Sequence, residues 1–499
     1  MATIRKQSIK GTIWVYTGFA IGALITYLFT NKLWFKTEEY GLTRSLLDIG
    51  ILLYSFSSIG TTFYLYKFFP YYKDNLANKD NDLLGQALKI SAIGFTFTIL
   101  ILYLIEPIIV RKFGTNASLL VEYFYMIIPI GFFYLIYNLL EAYSYGFSKG
   151  VTTNFLKETA LRFYTLFLIV LKVFNVINLK TFIILFGFQN LVIIILLAYI
   201  LHKEGSLWIN FKTSRVTKKF RKNIISILSL TFLTLIVNTL RGSIDSLMLA
   251  AKLENGLGKV AIFGYVTYLV MPMQAPVRSL AAVTIPHLSR FWKEKNITEI
   301  ARIYKRSSIN LLAFSLFIFC FILLNYSYVI NSFNINQTYQ QGKIVFVILG
   351  MMTIVELGTG VNGQIIGTSS FFRFEMWTSI LLTSLIIPLS YILTVKYGVV
   401  GPALANLVSF TIYNAIRIIF LQKKFNMQPF SSKTIEIILI AIISFITVYF
   451  IFQYKEGIVF IILRSILFSI LFIVPTYVRN ISPDVKQVLE TLKNRLAKK

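Results

Sequence analysis

The feature that most constrains this chain is a long succession of apolar stretches of about 20 residues, separated by short polar segments. About 20 helical residues cross the roughly 30 Å hydrocarbon core of a bilayer. Hydrophobic residues make up 56% of the 499 positions and charged residues only 14%. A soluble core cannot bury so much apolar surface, so the sequence predicts an all-α, multi-pass membrane protein.

The apolar stretches predict about fourteen membrane-spanning helices. Basic residues precede the first stretch, as in a signal peptide, but no small-residue cleavage pattern follows, so we expect a retained first helix. The approximate limits of the fourteen predicted spans are 11–31, 42–66, 86–106, 118–142, 155–173, 181–201, 223–251, 259–286, 306–326, 343–367, 374–395, 399–421, 434–453 and 457–478.

The placement of the basic residues predicts the orientation. Most of the 49 lysines and arginines fall in segments that face the cytoplasm if the N-terminus does. The positive-inside rule then predicts that both termini lie in the cytoplasm, and we expect the chain in the inner (plasma) membrane. Because the bases gather at the ends of apolar stretches, the net charge of +28 predicts contact with membrane lipids and no nucleic-acid partner.

A weak internal repeat relates two parts of the sequence. At an offset of 216 positions Pro70 aligns with Pro286, and the Asn-Leu-Val triplet at 190–192 aligns with the same triplet at 406–408. Six spans per repeat preserve orientation, which indicates two six-helix lobes in a parallel repeat and a C-terminal helix pair, an arrangement typical of transporters. The predicted parts are an N-terminal lobe (1–212), a basic linker (213–222), a C-terminal lobe (223–425) and a trailing helix pair with a basic tail (426–499).

Charges inside predicted spans are candidates for function, because a charge at the bilayer centre costs about 2.5–3.5 kcal/mol. Arg44 and Asp48 are one helical turn apart, and so are Arg241 and Asp245. Two interpretations remain open for each pair: a structural ion pair, or an arginine that reaches a ligand while the aspartate orients it. The pairs alone do not decide between them.

Arg278 has no acidic residue three or four positions away, and Pro272 and Pro276 interrupt its span. Such a residue can recruit an acid from another helix or an anionic ligand, and we expect the ligand. Guanidinium groups bind phosphate through two parallel hydrogen bonds and stay charged at physiological pH. If Arg44, Arg241 and Arg278 face one cleft, they predict a phosphate-bearing substrate. Arg464 lies outside both lobes and is predicted to lie at the membrane interface or to snorkel to the membrane surface.

The acidic residues within spans are Asp48, Asp245, Glu141 and Glu356. They could couple transport to H⁺ or Na⁺, or serve as charge partners between helices. Glu356 begins the glycine-rich stretch ELGTGVNGQIIG, for which close helix packing is the first interpretation and cavity lining the second. The sequence has no catalytic or metal-ligating motif, so we expect neither an enzyme nor a protein with a bound cofactor.

Three segments carry a resemblance to a known family: EEYGLTRSLLDIG (38–50), IDSLMLAAKLENGLGKVAIFGYV (244–266) and KYGVVGPALANLVSF (396–410). They resemble the bacterial polysaccharide (O-antigen-type) flippase branch of the multidrug/oligosaccharidyl-lipid/polysaccharide (MOP) exporter superfamily. Pro402 departs from the small residue usual at its position.

The resemblance implies a V-shaped, two-lobe carrier acting by alternating access in the synthesis of polysaccharides such as the lipopolysaccharide O-antigen. It would move an undecaprenyl-diphosphate-linked oligosaccharide from the cytoplasmic to the periplasmic face. The resemblance also implies a cationic cleft formed mainly by spans 1, 2, 7 and 8. Three of these contain Arg44, Arg241 and Arg278, which would hold the diphosphate. A glycan polymerase and glycosyltransferases of the same pathway would be partners.

Two other functions remain open at this point. A cation-coupled multidrug exporter of the same superfamily would need an acidic cleft. A membrane glycan polymerase or ligase would need a large extracytoplasmic loop with catalytic residues, and no such loop is predicted.

Overall fold

The computed structural model describes the backbone of residues 2–481, together with the side chains of residue 14 and of residues 17–481 other than 278, 279 and 282. The regular elements of this part of the chain are all helices, and none is a β-strand. The predicted all-α class is therefore confirmed.

The α-helices of the first half are α1 (Ala2–Thr30), α2 (Thr37–Ser58), α3 (Thr61–Asn75), α4 (Leu83–Phe113), α5 (Ser118–Glu122), α6 (Ile127–Tyr145), α7 (Gly150–Asn154), α8 (Leu161–Val173), α9 (Leu179–Gly187) and α10 (Gln189–Lys203). Those that follow are α11 (Arg215–Lys252), α12 (Gly256–Lys293), α13 (Ile297–Ser332), α14 (Gly342–Gly358), α15 (Asn362–Thr368), α16 (Phe372–Tyr397), α17 (Gly401–Phe425), α18 (Ser432–Phe452) and α19 (Ile458–Val478). Short 3₁₀ segments lie at Asn78–Asp80, Phe124–Met126, Gln337–Gln341 and Gly398–Val400, and a π-helical turn at Phe155–Ala160 joins α7 to α8.

Ten helical stretches within the described residues are long and apolar enough to cross a membrane, or eleven if the bent pair α2–α3 is one span. The predicted number of fourteen is therefore not confirmed as a count. The fifth predicted span is interrupted by the π-helical turn, and the apolar part of α1 that is described, Thr17–Thr30, is short. One 54-residue stretch, Phe372–Phe425, holds both α16 and α17.

The second predicted span is broken between α2 and α3, which meet at 49°. Ile59 and Gly60 both adopt positive φ, at 47° and 75°. A Cβ on Gly60 would lie 2.4 Å from Thr231 Oγ1 and 2.7 Å from the carbonyl oxygen of Leu228, both on α11. Glycine is therefore required here for its backbone conformation and for the close approach of α11.

The chain divides into two compact units, Met1–Ala261 and Ile262–Lys499. The boundary between the two units falls within α12 and does not coincide with the predicted lobe boundaries at 212 and 222. Those lobe boundaries therefore stay a prediction. In the first unit α2 packs against α4, α6 and α11. Its core is rich in buried aromatic and aliphatic side chains, among them Tyr64, Tyr72, Leu84, Leu139 and Tyr143.

In the second unit α17 packs against α14 and α16, and the pair α18–α19 packs against α13. Arg464 on α19 is 1% exposed, which corrects the prediction that it snorkels to the surface. Its guanidinium donates to the carbonyl oxygens of Phe452 (3.2 Å) and Lys455 (3.0 Å) and lies 3.7 Å from the centre of the Tyr328 ring. The physical reason is that carbonyls at a helix C-terminus lack intrahelical partners and favour a positive charge, so the end of α18 holds this arginine inside.

Candidate substrate-binding site

The first unit brings the two arginine–aspartate pairs onto neighbouring helices. Hydroxyl groups join α2 to α11 at two levels. The Ser55 hydroxyl donates to Thr239 Oγ1 at 2.6 Å, and the Ser243 hydroxyl donates to the backbone oxygen of Asp48 at 3.4 Å. Because residue numbers rise along α2 as they fall along α11 between these contacts, the helices run antiparallel. At 1.5 Å per residue, Arg44 and Arg241 start from backbone positions roughly 10 Å apart along the helix axes.

The guanidinium groups of Arg44 and Arg241 have no carboxylate partner within 4.0 Å in the described part of the chain. Arg241 Nη2 donates instead to Asn238 Oδ1 at 3.2 Å. The Asp48 carboxylate lies near both Arg44 and Ser246, the latter on α11. Both arginines are half-buried. They are therefore held near the α2–α11 contact with hydrogen-bond donors left for a ligand.

The other predicted site residues lie in different surroundings. Asp245 is 7% exposed on α11, one residue before Ser246, which lies near the Asp48 carboxylate. Arg278 lies on α12, but its side chain is outside the described residues. The structure thus brings Arg44, Asp48, Arg241 and Asp245 to one helix pair within the first unit, and the expected role of Arg278 stays a prediction.

Glu141 on α6 forms a part-buried ion pair that sequence reasoning missed. Lys157 Nζ lies 3.1 Å from Glu141 Oε2, and the glutamate is 6% exposed. Lys157 belongs to the π-helical turn between α7 and α8. The two charges are 16 positions apart on separate helices, so no helical spacing could have connected them. Glu141 is therefore a charge partner between elements, and its role in coupling stays a prediction.

Glu356 lines a cavity of about 540 Å³ in the second unit. The same cavity contains Arg417 and Glu375, whose Nη2 and Oε1 atoms are 2.8 Å apart. Sequence reasoning missed this pair, because each residue lies near the end of a predicted span and reads as a charge at the membrane surface. The signal available in the sequence was Arg417 itself, a charge inside the predicted span 399–421, four positions before its end.

The described residues contain no group of three or more histidine, cysteine, aspartate or glutamate side chains placed to hold a metal ion. Two candidate sites remain: the guanidinium groups of Arg44 and Arg241 in the first unit, and the polar cavity around Arg417 in the second.

Comparisons with known proteins give a likeness of structure only. No family model and no curated protein sequence matches the chain. The lipid II flippase MurJ in an inward closed conformation matches with a TM-score of 0.70 and 15% identity, over 93% of this chain and 98% of that one. A MATE-family multidrug resistance transporter of the MOP superfamily, inward-facing, matches with a TM-score of 0.59 and 16% identity, over 82% and 94%.

A third structure, a MOP superfamily transporter from Pyrococcus furiosus described as having a binding pocket of reverse polarity, matches with a TM-score of 0.54 and 14% identity, over 84% and 96%. At these identities the comparisons show the fold alone. The chain is a multi-pass membrane protein with the fold of MOP superfamily transporters, as its sequence resemblance predicted. The comparisons do not distinguish the O-antigen-type branch from the other branches of the superfamily.

Proposed function

We propose that the protein is a flippase for a lipid-diphosphate-linked oligosaccharide, acting in polysaccharide synthesis, with undecaprenyl diphosphate as the lipid carrier. It would move the substrate across the inner membrane by alternating access. Arg44 and Arg241 would bind the diphosphate, and Arg278 is a third candidate. The MurJ match supports the class of substrate, because that protein is described as a flippase of lipid II.

The observation that carries the proposal is the freedom of two half-buried guanidinium groups from carboxylate partners. A charge at membrane depth that lacks an ion pair is costly, and a substrate that supplies the counter-charge offsets that cost. A diphosphate fits, because each guanidinium can donate two parallel hydrogen bonds to phosphate oxygens. Two long side chains that start roughly 10 Å apart can approach one diphosphate from opposite ends.

The role of the serines follows from the same geometry. Ser243 binds the Asp48 backbone and Ser246 lies near the Asp48 carboxylate, so the aspartate is retained at the α2–α11 contact. Its negative charge moderates that of Arg44 without occupying the guanidinium. This arrangement would allow the substrate to be released as well as bound.

The test is flipping by the purified protein in vesicles that contain a fluorescent undecaprenyl-diphosphate disaccharide. We expect Arg44→Ala and Arg241→Ala each to reduce the flipping rate about 10- to 100-fold, because a hydrogen bond to a charged group contributes about 1.5–3 kcal/mol. The rate is measured from the fraction of probe that an impermeant quencher reaches over time.

Arg302→Ala is the matched control, because Arg302 is exposed and pairs with Glu299 at a helix start. Wild-type flipping by both Arg44→Ala and Arg241→Ala would refute the binding site. An inactive wild-type protein in this assay, with normal insertion, would refute the function.

A second candidate, cation-coupled drug export, has one structural observation in its favour. The cavity of the second unit contains two carboxylates, Glu356 and Glu375, and MATE transporters share the fold. Resistance of expressing cells to cationic dyes, lost on dissipating the H⁺ or Na⁺ gradient, would favour this function over the flippase.

A further inference from the structure

The cavity of the second unit is built around a break in a membrane helix. Helix α14 ends at Gly358 and α15 begins at Asn362. Gly360, between them, has a φ of 64°, and a Cβ there would lie 2.7 Å from Ser307 Oγ and 2.9 Å from the backbone nitrogen of Ser308. Non-helical backbone at membrane depth is tolerated where it is buried in protein or lines a polar cavity. Such broken helices form ligand sites in transporters.

Arg417 is the central side chain of the cavity and is 3% exposed. Its Nε donates to Thr378 Oγ1 at 3.1 Å, and its Nη1 donates to Asn362 Oδ1 at 3.4 Å. Its guanidinium also lies 3.9 Å from the centre of the Tyr413 ring. With Glu375 as its ion-pair partner, the guanidinium is fixed on several sides, so the polar wall of the cavity is rigid before any ligand arrives.

The cavity holds charges of both signs, the guanidinium of Arg417 and the carboxylates of Glu356 and Glu375, which disfavours an ionic ligand. A metal ion or an organic cation would have to approach Glu375 and Asn362, whose oxygens already face the positive guanidinium of Arg417. A phosphate or carboxylate would meet the negative charges of Glu356 and Glu375. A neutral, polar ligand meets neither obstacle.

The groups that face the cavity suit a ligand with many hydroxyl groups. The Gln364 side-chain amide makes no hydrogen bond to the described residues, and it can both donate and accept. The bonds from Arg417 and Ser379 both end on Glu375 Oε1, which leaves Oε2 as an acceptor for a hydroxyl.

The glycines of the ELGTGVNGQIIG stretch provide the space. A Cβ on Gly363 would lie 2.7 Å from Arg417 Nη1, so a side chain there would displace the guanidinium. Gly367 has only Glu375 Cγ nearby, at 3.8 Å, and so borders open space. The stretch that the sequence assigned first to helix packing therefore also lines a cavity.

We propose that this cavity binds a neutral sugar residue. The proposal rests on the proposed function, in which the sugar belongs to the lipid-linked oligosaccharide. A volume of about 540 Å³ lies within the range of small-molecule sites and accommodates one or two sugar rings. Arg417 orders the wall, while Gln364 and Glu375 bind the hydroxyl groups. The site selects the glycan, and the arginines of the first unit select the diphosphate.

The test uses two probes on the purified full-length protein. The first probe is the free oligosaccharide released by mild acid from the cells' own lipid-linked glycans, and the second is undecaprenyl diphosphate without sugar. Binding is followed by tryptophan fluorescence, since Trp292 donates its indole N–H to the backbone of Ile365 on α15 at 3.1 Å. We expect Gln364→Ala to weaken oligosaccharide binding about five- to tenfold. Gly367→Leu, which fills the cavity, should abolish it.

The controls are Gln422→Ala, an exposed glutamine elsewhere in the unit, and Ser370→Leu, which adds the same side chain at an exposed position outside the cavity lining. Both should bind the oligosaccharide as the wild type does, and no cavity variant should alter binding of undecaprenyl diphosphate. Absence of oligosaccharide binding to the wild type, or wild-type binding by both Gln364→Ala and Gly367→Leu, would overturn the sugar site. So would saturable sodium binding that these two variants remove. Failure of undecaprenyl diphosphate alone to bind would contradict the proposed function and leave the sugar site standing.

Discussion

At the scale of single residues, two buried arginines show how differently one side chain can be used within one unit. Arg417 faces a carboxylate and an aromatic ring inside a cavity, whereas Arg464 binds backbone oxygens at the end of α18. Asn325 Oδ1 also lies 3.4 Å from Arg464 Nη1 and connects the arginine to α13. Arg464 therefore fastens the α18–α19 pair to its neighbour.

Replacing Arg464 with alanine should destabilise the second unit by about 2–3 kcal/mol. The loss is that of the hydrogen bonds from a charged donor and of the packing of its guanidinium against the Tyr328 ring. The measurement is the thermal unfolding midpoint of the purified protein in detergent. The matched control is Arg479→Ala, because Arg479 is 69% exposed and its ion-pair distance to Glu436 is 3.9 Å, so its removal should change stability by less than about 1 kcal/mol. Equal thermal unfolding midpoints for the two variants would contradict the stabilising role of Arg464.

At the scale of elements, the start of α11 is tied to the loop before α4. The Asp82 carboxylate is completely buried, and its Oδ2 accepts from the Ser214 backbone N–H at 2.9 Å and from the Thr217 hydroxyl at 2.7 Å. The Ser214 hydroxyl also caps the helix by accepting from the Thr217 backbone. The basic segment that the sequence read as a linker is therefore anchored near its N-terminal end.

Asp82→Ala should release this segment and speed its cleavage by trypsin about five- to tenfold, because lost caps and lost carboxylate bonds let the first turn of α11 open. The rate is followed by the appearance of the two fragments produced by cleavage after Lys218, Lys219 or Arg221. Asp80→Ala, an exposed position two residues earlier, should leave the rate unchanged. If trypsin cleaves Asp82→Ala at the wild-type rate, Asp82 does not anchor the start of α11.

The sequence predicted the apolar elements better than their interruptions. Hydropathy located the main helices, because lipid requires about 20 apolar residues wherever the chain crosses. It could not locate the break at Ile59–Gly60 or the one at Gly360, because each depends on a neighbouring helix coming within contact distance. Arg417 and Glu375 could not be paired from sequence either, since 42 positions and a helical turn separate them. Arg44 and Arg241 were found because charge within an apolar stretch is a local signal.

At the scale of the whole molecule, the proposed function needs a defined orientation in the membrane. In that proposal the lipid-linked glycan is taken up on the cytoplasmic side and released on the other. The positive-inside rule predicts that the segment 213–222 is cytoplasmic and that the turn between α18 and α19 is outside. Tyr454 in that turn is 88% exposed.

Single cysteines introduced into a Cys320→Ser background test this orientation. An impermeant maleimide should label Tyr454→Cys in intact cells and should label Lys219→Cys only after the membrane is opened. Cys320 itself is buried, so its removal should not disturb the fold strongly. The opposite labelling pattern would reverse the predicted orientation and the direction of transport.

The contact between Arg464 and the end of α18 also has a consequence for how the chain is made. The arginine follows Phe452 by 12 residues, so a ribosome adding about 5–20 residues per second completes α18 roughly a second before its cap exists. During that interval the end of the helix would lack the guanidinium that binds its carbonyl oxygens. The two segments are therefore best inserted together as a hairpin, and a chain truncated between them should be recognised as unfinished by the membrane quality-control proteases.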